Sequence, residues 1–228
     1  MPLRETMLEP ISDSALSAVA MFPIPNIVLL PGALLPLHIF EPRYRAMTRD
    51  VLAGSGVLAL ARVRPGSAPS GAGDSEPIFP VVGVGRIIAS SELPDGRYNI
   101  LVRGSVRAEI AEEHPLEHLY RRIRARPLSD VAPAQPAVLS ALHQQLIGLC
   151  DRLAEVIAQG GDQLRELVRT DDTPGGCSDL VCSALISDAD ERQRLLETTD
   201  PSERLACAIR HVSGLLAELD PDTASERS

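Results

Sequence analysis

The chain has 228 residues, 44% of them hydrophobic, and a formal net charge of −9, enough to bury one sizeable core or two small ones. All 22 basic residues are arginine. The missing lysine excludes the phosphate-binding loop that ends in Gly-Lys-Ser/Thr, the Ser-Lys hydrolytic dyad and Schiff-base catalysis, each of which needs that amine.

The opening MPLRETMLEP is too acidic for a signal peptide, and prolines and charges interrupt every apolar run, so the expected location is cytoplasmic with no membrane partner. Residues 1–17 are read as a flexible tail. The stretch FPIPNIVLLPGALLPLHIFEPRYRAM (22–47) is among the most apolar in the chain, yet carries Pro23, Pro25, Pro31, Pro36 and Pro42. Proline fixes φ and lacks an amide proton, which forbids a long helix and confines strands to short pieces or edges. The expectation is short extended segments at 19–24 and 27–30, a Pro31-Gly32 turn, and a strand from Leu35 to Phe40. Pro42 then suits the first position of a helix, with Tyr44, Met47, Val51 and Leu52 on one face and Gly54 closing it.

VLALARV (57–63) reads as a central strand covered on both faces, and the Pro/Gly/Ser-rich stretch 65–77 as a mobile excursion. Two long runs, 80–93 and 97–113, flank Pro94-Asp95-Gly96, which signals a β-hairpin. Gly83-Val84-Gly85 within the first run lacks the third glycine and the helix that dinucleotide binding requires, and is read as a bulge or a close backbone crossing. LYRRIRAR (119–126) alternates Arg122, Arg124 and Arg126 with Ile123 and Ala125, as a solvated basic strand or a phosphate-binding stripe would.

From Pro136 the period becomes helical, with Leu139, Leu142, Leu146, Leu149, Leu153 and Val156 on one stripe up to Gly160-Gly161. Shorter helices are expected near 162–169, 177–186 and 189–197, then a last one opened by Asp200-Pro201-Ser202-Glu203. Residues 1–127 carry 14 arginines against 13 carboxylates, whereas 128–228 carry 8 against 18. The expectation is therefore an α+β protein: a β-rich unit at 18–127, a linker at 128–135, a helical unit at 136–220 and a flexible tail at 221–228.

The residues FPIPNIVLLPGALLPLHIFEPRYRAM, VLALARV, VVGVGRI, ELPDGRYNILVRGSVRAEI, CSDLVCSALI and LLETTDPSERL resemble the N-terminal, substrate-binding domain of Lon proteases, and more closely the stand-alone bacterial proteins made of that domain. The resemblance spans roughly positions 20–220 and implies a bent β unit, similar to a PUA-like barrel, followed by a helical bundle. It also implies engagement of unfolded or partly folded polypeptide, in protein quality control, with a protease or chaperone as a further partner. The ATPase and Ser-Lys peptidase modules of full-length Lon have no counterpart in the motifs found.

Catalytic groups are not expected. Glu41, Pro42, Arg43 and Tyr44 are read as a structural motif that fixes a strand-to-helix corner. The peptide-binding candidates are Leu34, Leu35, His38 and Phe40, with Leu34 and Leu35 held outward by the Pro-Gly turn and the groove between the two units contributing. No GxSxG elbow is present, and Pro115 argues against a helix carrying both His114 and His118, so neither a nucleophilic triad nor a metal is expected. Cys150, Cys177, Cys182 and Cys207 form no CxxC pair, and no histidine is expected at metal-ligand spacing beside them; they are taken as reduced, buried thiols. No cofactor is expected. The competing reading is a PUA-like binder of nucleic acid or a small ligand, which the net charge of −9 disfavours for nucleic acid. The oligomeric state is left open.

Overall fold

A computed structural model describes residues 10–66 and 76–219. The chain divides into two compact units that meet at Leu128 and Ser129. The first carries a six-stranded sheet, the second a set of helices, which together make an α+β protein.

In the first unit a short helix α1 (Asp13–Leu16), capped by Ser12 Oγ, precedes β1 (Val19–Ile24). Leu16 is buried in the core, so residues 13–16 are ordered structure rather than the expected tail. Then come β2 (Leu34–Ile39), α2 (Pro42–Ala53), β3 (Val57–Arg62), β4 (Val81–Glu92), β5 (Tyr98–Glu113) and β6 (Arg121–Pro127). The strand order is β2-β5-β4-β3-β1-β6, and β5 also pairs with β6. That last pairing closes the sheet into a barrel, because the first half of the long β5 pairs with β2 and its second half with β6. The mobile excursion expected at 65–77 falls largely on 67–75, outside the described residues.

Residues 27–30 join no strand ladder, although Val28, Leu29 and Leu30 are buried. They cross closely over β4 and β5. A Cβ on Gly83 would fall inside the Leu29 carbonyl, and one on Gly104 inside the Leu30 carbonyl. Gly83 and Gly85 are thus the close crossing that the sequence suggested, with a register shift between Val84 and Gly85 besides. The hairpin turn is a three-residue loop in which Gly96 N–H bonds Leu93 O at 2.8 Å and Gly96 takes the left-handed conformation, φ 78°.

The second unit comprises α3 (Pro136–Val156), α4 (Gly161–Val168), α5 (Pro174–Leu185), α6 (Ala189–Glu197) and α7 (Pro201–Leu219). α3 and α5 both pack on α7, around Leu146, Leu153, Leu180, Leu205 and Val212. α5 begins three residues before the expected start, because Thr173 Oγ1 accepts from Gly176 N–H and Pro174 takes the first helical position. The last residues, 220–228, lie outside the described residues.

Candidate functional site

The prolines of 22–47 each solve a local problem. Pro31 and Gly32 occupy the centre of a turn in which Ala33 N–H bonds Leu30 O at 3.2 Å. Gly32 has φ 78°, as the second central residue of a type II turn requires. Gly104 N–H donates to Ala33 O at 2.8 Å and Gly104 O accepts from Gly32 N–H at 2.9 Å, which makes Gly32 and Ala33 against Gly104 a bulged hydrogen-bonded pair of the antiparallel ladder. Such pairs alternate with non-bonded ones. Leu35, Leu37 and Ile39 therefore turn their backbone groups toward β5, while Leu34, Pro36 and His38 turn theirs to the other side. β2 is the terminal strand, and among the described residues nothing pairs with that side. Pro36 thus stands where its missing N–H breaks no ladder bond, and the edge still offers the N–H groups of Leu34 and His38.

Side chains alternate with the same period. Leu34, Pro36, His38 and Phe40 are exposed, whereas Leu35 and Leu37 pack against the core cluster and Ile39 is buried. Leu35 corrects the expectation that the turn holds both leucines outward: the two-residue repeat of a strand sends adjacent side chains to opposite faces. The outer face is distinctly apolar, with Leu34 59% and Phe40 61% exposed. Directly across on β5 stand Arg103, Leu101 and Asn99, opposite Leu34, Pro36 and His38. Pro36 and Leu101 escaped the sequence reading, and the alternation from Leu34 would have found the first of them.

His38 is held by two partners. Arg97 Nη1 donates to its Nε2 at 3.3 Å, so Nδ1 carries the proton and donates to Asn99 Oδ1 at 2.7 Å. Arg97 is itself paired with Asp95 at 2.6 Å. The backbone N–H of Arg97, with its side chain, holds the Asp95 carboxyl below its usual value, against the opposing effect of desolvation. The ring of His38 stacks on Phe40 at 6.4 Å between centroids. A fixed imidazole beside an exposed phenyl makes a flat, semi-apolar platform.

The corner after β2 is built by the four motif residues. Glu41 caps α2 through its carbonyl, which accepts from Tyr44 N–H and Arg45 N–H, while its carboxylate takes Arg43 Nε–H at 3.0 Å. Pro42 fills the first helical position. The Tyr44 ring is buried, 4.2 Å from Phe22 on one side and 4.4 Å from the Arg43 guanidinium on the other. Burial raises its hydroxyl pKa, and Glu41 adds to that while Arg43 opposes it.

The basic strand behaves differently from a phosphate-binding stripe. Arg124 bonds Glu112 at 2.9 Å, Arg126 pairs with Glu109, and Arg121 makes two 2.6 Å bonds to Glu113, all across the β5–β6 ladder. Arg122 donates to Ala18 O and approaches His118 Nε2 at 3.0 Å. His114 instead reaches Ser17 O, so the two histidines of HPLEH serve different partners. A cavity of about 260 Å³ near α2 is lined by Asp50, His118, Tyr120 and Arg122, but these groups bond within the protein: Tyr120 donates to Asp50 Oδ2 at 2.8 Å. Burial and that bond push the Tyr120 hydroxyl up to about 12.

Comparison with known proteins completes the picture. The family model of the ATP-dependent protease La (LON) substrate-binding domain matches residues 18–214. Lon protease of Chloroflexus aurantiacus is 32% identical over 186 residues, and Lon protease of Trichlorobacter lovleyi 30% identical over 192. Each alignment covers 81% of this chain but only 22% of the relative, so the chain spans about a fifth of the length of these proteins. Among solved structures, the N-terminal domain of a Mycobacterium avium complex Lon protease superposes with a TM-score of 0.63 at 23% identity, over 86% of this chain and 98% of that one. The Lon N-terminal domain protein from Xanthomonas campestris gives 0.54 at 20% identity, over 85% and 97%. With its barrel, its helices and nearly all of its described length accounted for, the chain belongs to the family of Lon substrate-binding domains.

Proposed function

We propose that this chain is a non-catalytic module that binds extended, unfolded or partly folded polypeptide on the outer face and free edge of β2. The observation that carries the reading is the coincidence, on one terminal strand, of exposed Leu34, Pro36 and Phe40 with backbone groups that pair with nothing among the described residues. Such an edge takes an added strand through main-chain bonds, and alternate side chains of the guest meet the apolar face. His38 and Asn99 supply fixed polar contacts within it. The family's description as a substrate-binding domain supports the reading, and so does the absence of lysine, which denies the chain a Ser-Lys peptidase or a phosphate-binding-loop ATPase centre. A cytoplasmic adaptor that hands bound chains to a protease or chaperone is the role we propose for it.

The test is fluorescence anisotropy with a labelled, permanently unfolded polypeptide such as reduced carboxymethylated lactalbumin. Leu34→Asp and Phe40→Asp, both at exposed positions and checked for an unchanged melting midpoint, are expected to weaken binding about tenfold each. Equal binding by both variants and the parent removes the β2 surface; no binding by the parent removes the function. Leu35 is unsuitable as a probe because its change disturbs the core. The nucleic-acid reading is disfavoured by the carboxylates that already face Arg124 and Arg126. Pure protein is expected to show neither casein cleavage nor nucleotide turnover.

A further inference from the structure

In the second unit, three side chains with metal-ligating atoms converge. Cys207 and His211 are four residues apart on α7, which stacks them on one face of the helix, and Glu191 reaches them from the first turn of α6. Glu191 Oε1 lies 3.3 Å from Cys207 Sγ, Glu191 Oε2 lies 2.8 Å from His211 Nε2, and all three ligand atoms fall within 4.8 Å of one another. Cys207 and His211, four apart on one helix, overturn the expectation that no histidine stands at metal-ligand spacing from a cysteine, and the fold brings in Glu191 from sixteen positions away.

We propose that Glu191, Cys207 and His211 form a binding site for a zinc-like divalent cation. The chemistry of the donors selects the metal: one thiolate, one imidazole and one carboxylate are the borderline-soft set that zinc takes, and three protein ligands leave a fourth position open. The geometry needs little adjustment. Tetrahedral bonds of about 2.0–2.3 Å hold ligand atoms about 3.3–3.5 Å apart, so the 2.8 Å contact opens by about half an ångström and the 3.3 Å contact by less, while Cys207 Sγ and His211 Nε2 start no more than 4.8 Å apart. Access is one-sided. Cys207 is buried, while the side chains of Glu191 and His211 are 24% and 34% exposed, which leaves room for a water as the fourth ligand.

The protons balance simply. Cys207 and His211 each bond one oxygen of Glu191, so both donor groups already face the carboxylate. On binding, the Cys207 thiol loses its proton to solvent, and His211 exchanges the Nε2 proton that now bonds Glu191 for one on Nδ1 through solvent, so that Nε2 donates its lone pair to the metal. Cation, thiolate and carboxylate sum to zero charge. Arg194, 3.3 Å from Glu191 Oε1 and 4.0 Å from Cys207 Sγ, is 63% exposed, free to swing outward or to hydrogen-bond the metal-bound thiolate from outside.

Titration of the full chain with Co²⁺ reads the site directly. The expected result is one equivalent bound, with a thiolate-to-cobalt charge-transfer band and the intense visible bands of a tetrahedral centre, both bleached by Zn²⁺. Cys207→Ser abolishes the charge-transfer band, whereas Cys150→Ser, at a thiol outside the cluster, retains it. Glu191→Gln and His211→Gln, at partly exposed positions that leave the thiol in place, each lower the affinity by about 100-fold or more. A parent protein that gives no charge-transfer band at millimolar Co²⁺ overturns the proposal. So does a band that survives in folded Cys207→Ser, or one whose affinity is unchanged in both Glu191→Gln and His211→Gln.

Discussion

Arg204 is the residue on which the helical unit depends most visibly. Its side chain is 1% exposed, yet it is a full charge, and the structure satisfies it from three directions. Nη1 and Nη2 reach the two oxygens of Asp130 at 2.8 and 2.7 Å, and Nη1 also donates to Thr198 O at 2.9 Å. Nε sits 3.3 Å from Asp179 Oδ1, close enough for attraction but out of line for a hydrogen bond. These bonds outweigh burial and hold the guanidinium's pKa above its ordinary value. Asp179 is itself buried, so removing the arginine leaves a carboxylate with its main countercharge gone. Arg204→Met is expected to cost about 3–5 kcal/mol in urea unfolding, whereas replacing Arg204, Asp130 and Asp179 together with apolar residues is expected to recover much of that loss. In the sequence, Arg204 follows a helix cap and looks like any arginine of a first turn; only its partners, 74 and 25 positions away, make it central.

At the scale of elements, glycines report where backbone meets backbone. Residues 28–30 cross the inner surface of β4 and β5 so closely that Gly83 and Gly104 have no room for a methyl group. Gly104→Ala is expected to destabilise by at least about 1–3 kcal/mol, because the obstacle is the Leu30 carbonyl and backbone cannot rotate out of the way. Gly148 provides the opposite case. It is exposed within α3, nothing lies within 4 Å of the position its Cβ would take, and Gly148→Ala is expected to stabilise by about 0.5–1 kcal/mol. Thermal melts of the two variants, shifted in opposite directions, check both statements. The hairpin, the proline-started helices and the helical stripes were legible because their causes are local: an Asp-Gly pair, a missing N–H, an apolar period. The crossing was legible only as an oddity, a GxG in a strand.

Across the whole molecule the four thiols have burial in common. All are buried and free, and burial raises the pKa of each: Cys177 to about 11, Cys150 to about 12, Cys182 further still, and Cys207 with help from Glu191. The folded state therefore holds these protons more tightly than the unfolded chain, whose thiols titrate near 8.5. Their contribution to stability is complete below about pH 8.5 and declines as pH rises toward the folded values, by up to about 1.4 kcal/mol per pH unit for each thiol. The melting midpoint is expected to be insensitive to these groups near neutral pH and to fall steadily above pH 9, with a shallower fall in Cys150→Ala. In the same vein, a thiol reagent at pH 8 is expected to label the native protein slowly and all four cysteines after denaturation.

What the sequence determined by itself was everything carried by short range and composition. The change from a period of two to one of 3.6 near Pro136 marked the passage from strands to helices, and the charge contrast, +1 before residue 128 and −10 after it, marked two dissimilar halves. The run from Phe22 to Met47 identified the family. Tertiary structure decided what depends on partners distant in the chain. It closed the sheet by pairing β5 with β6 as well, turned Leu34 outward and Leu35 inward by fixing the register against Arg103 and Val102, and set Arg121, Arg124 and Arg126 of β6 against the carboxylates of β5. It also brought Glu191 to Cys207 and His211. A side chain's role is set by what lies within a few ångströms of it, and for these residues those neighbours are separated in the chain by 8 to about 70 positions, a distance over which no local preference acts.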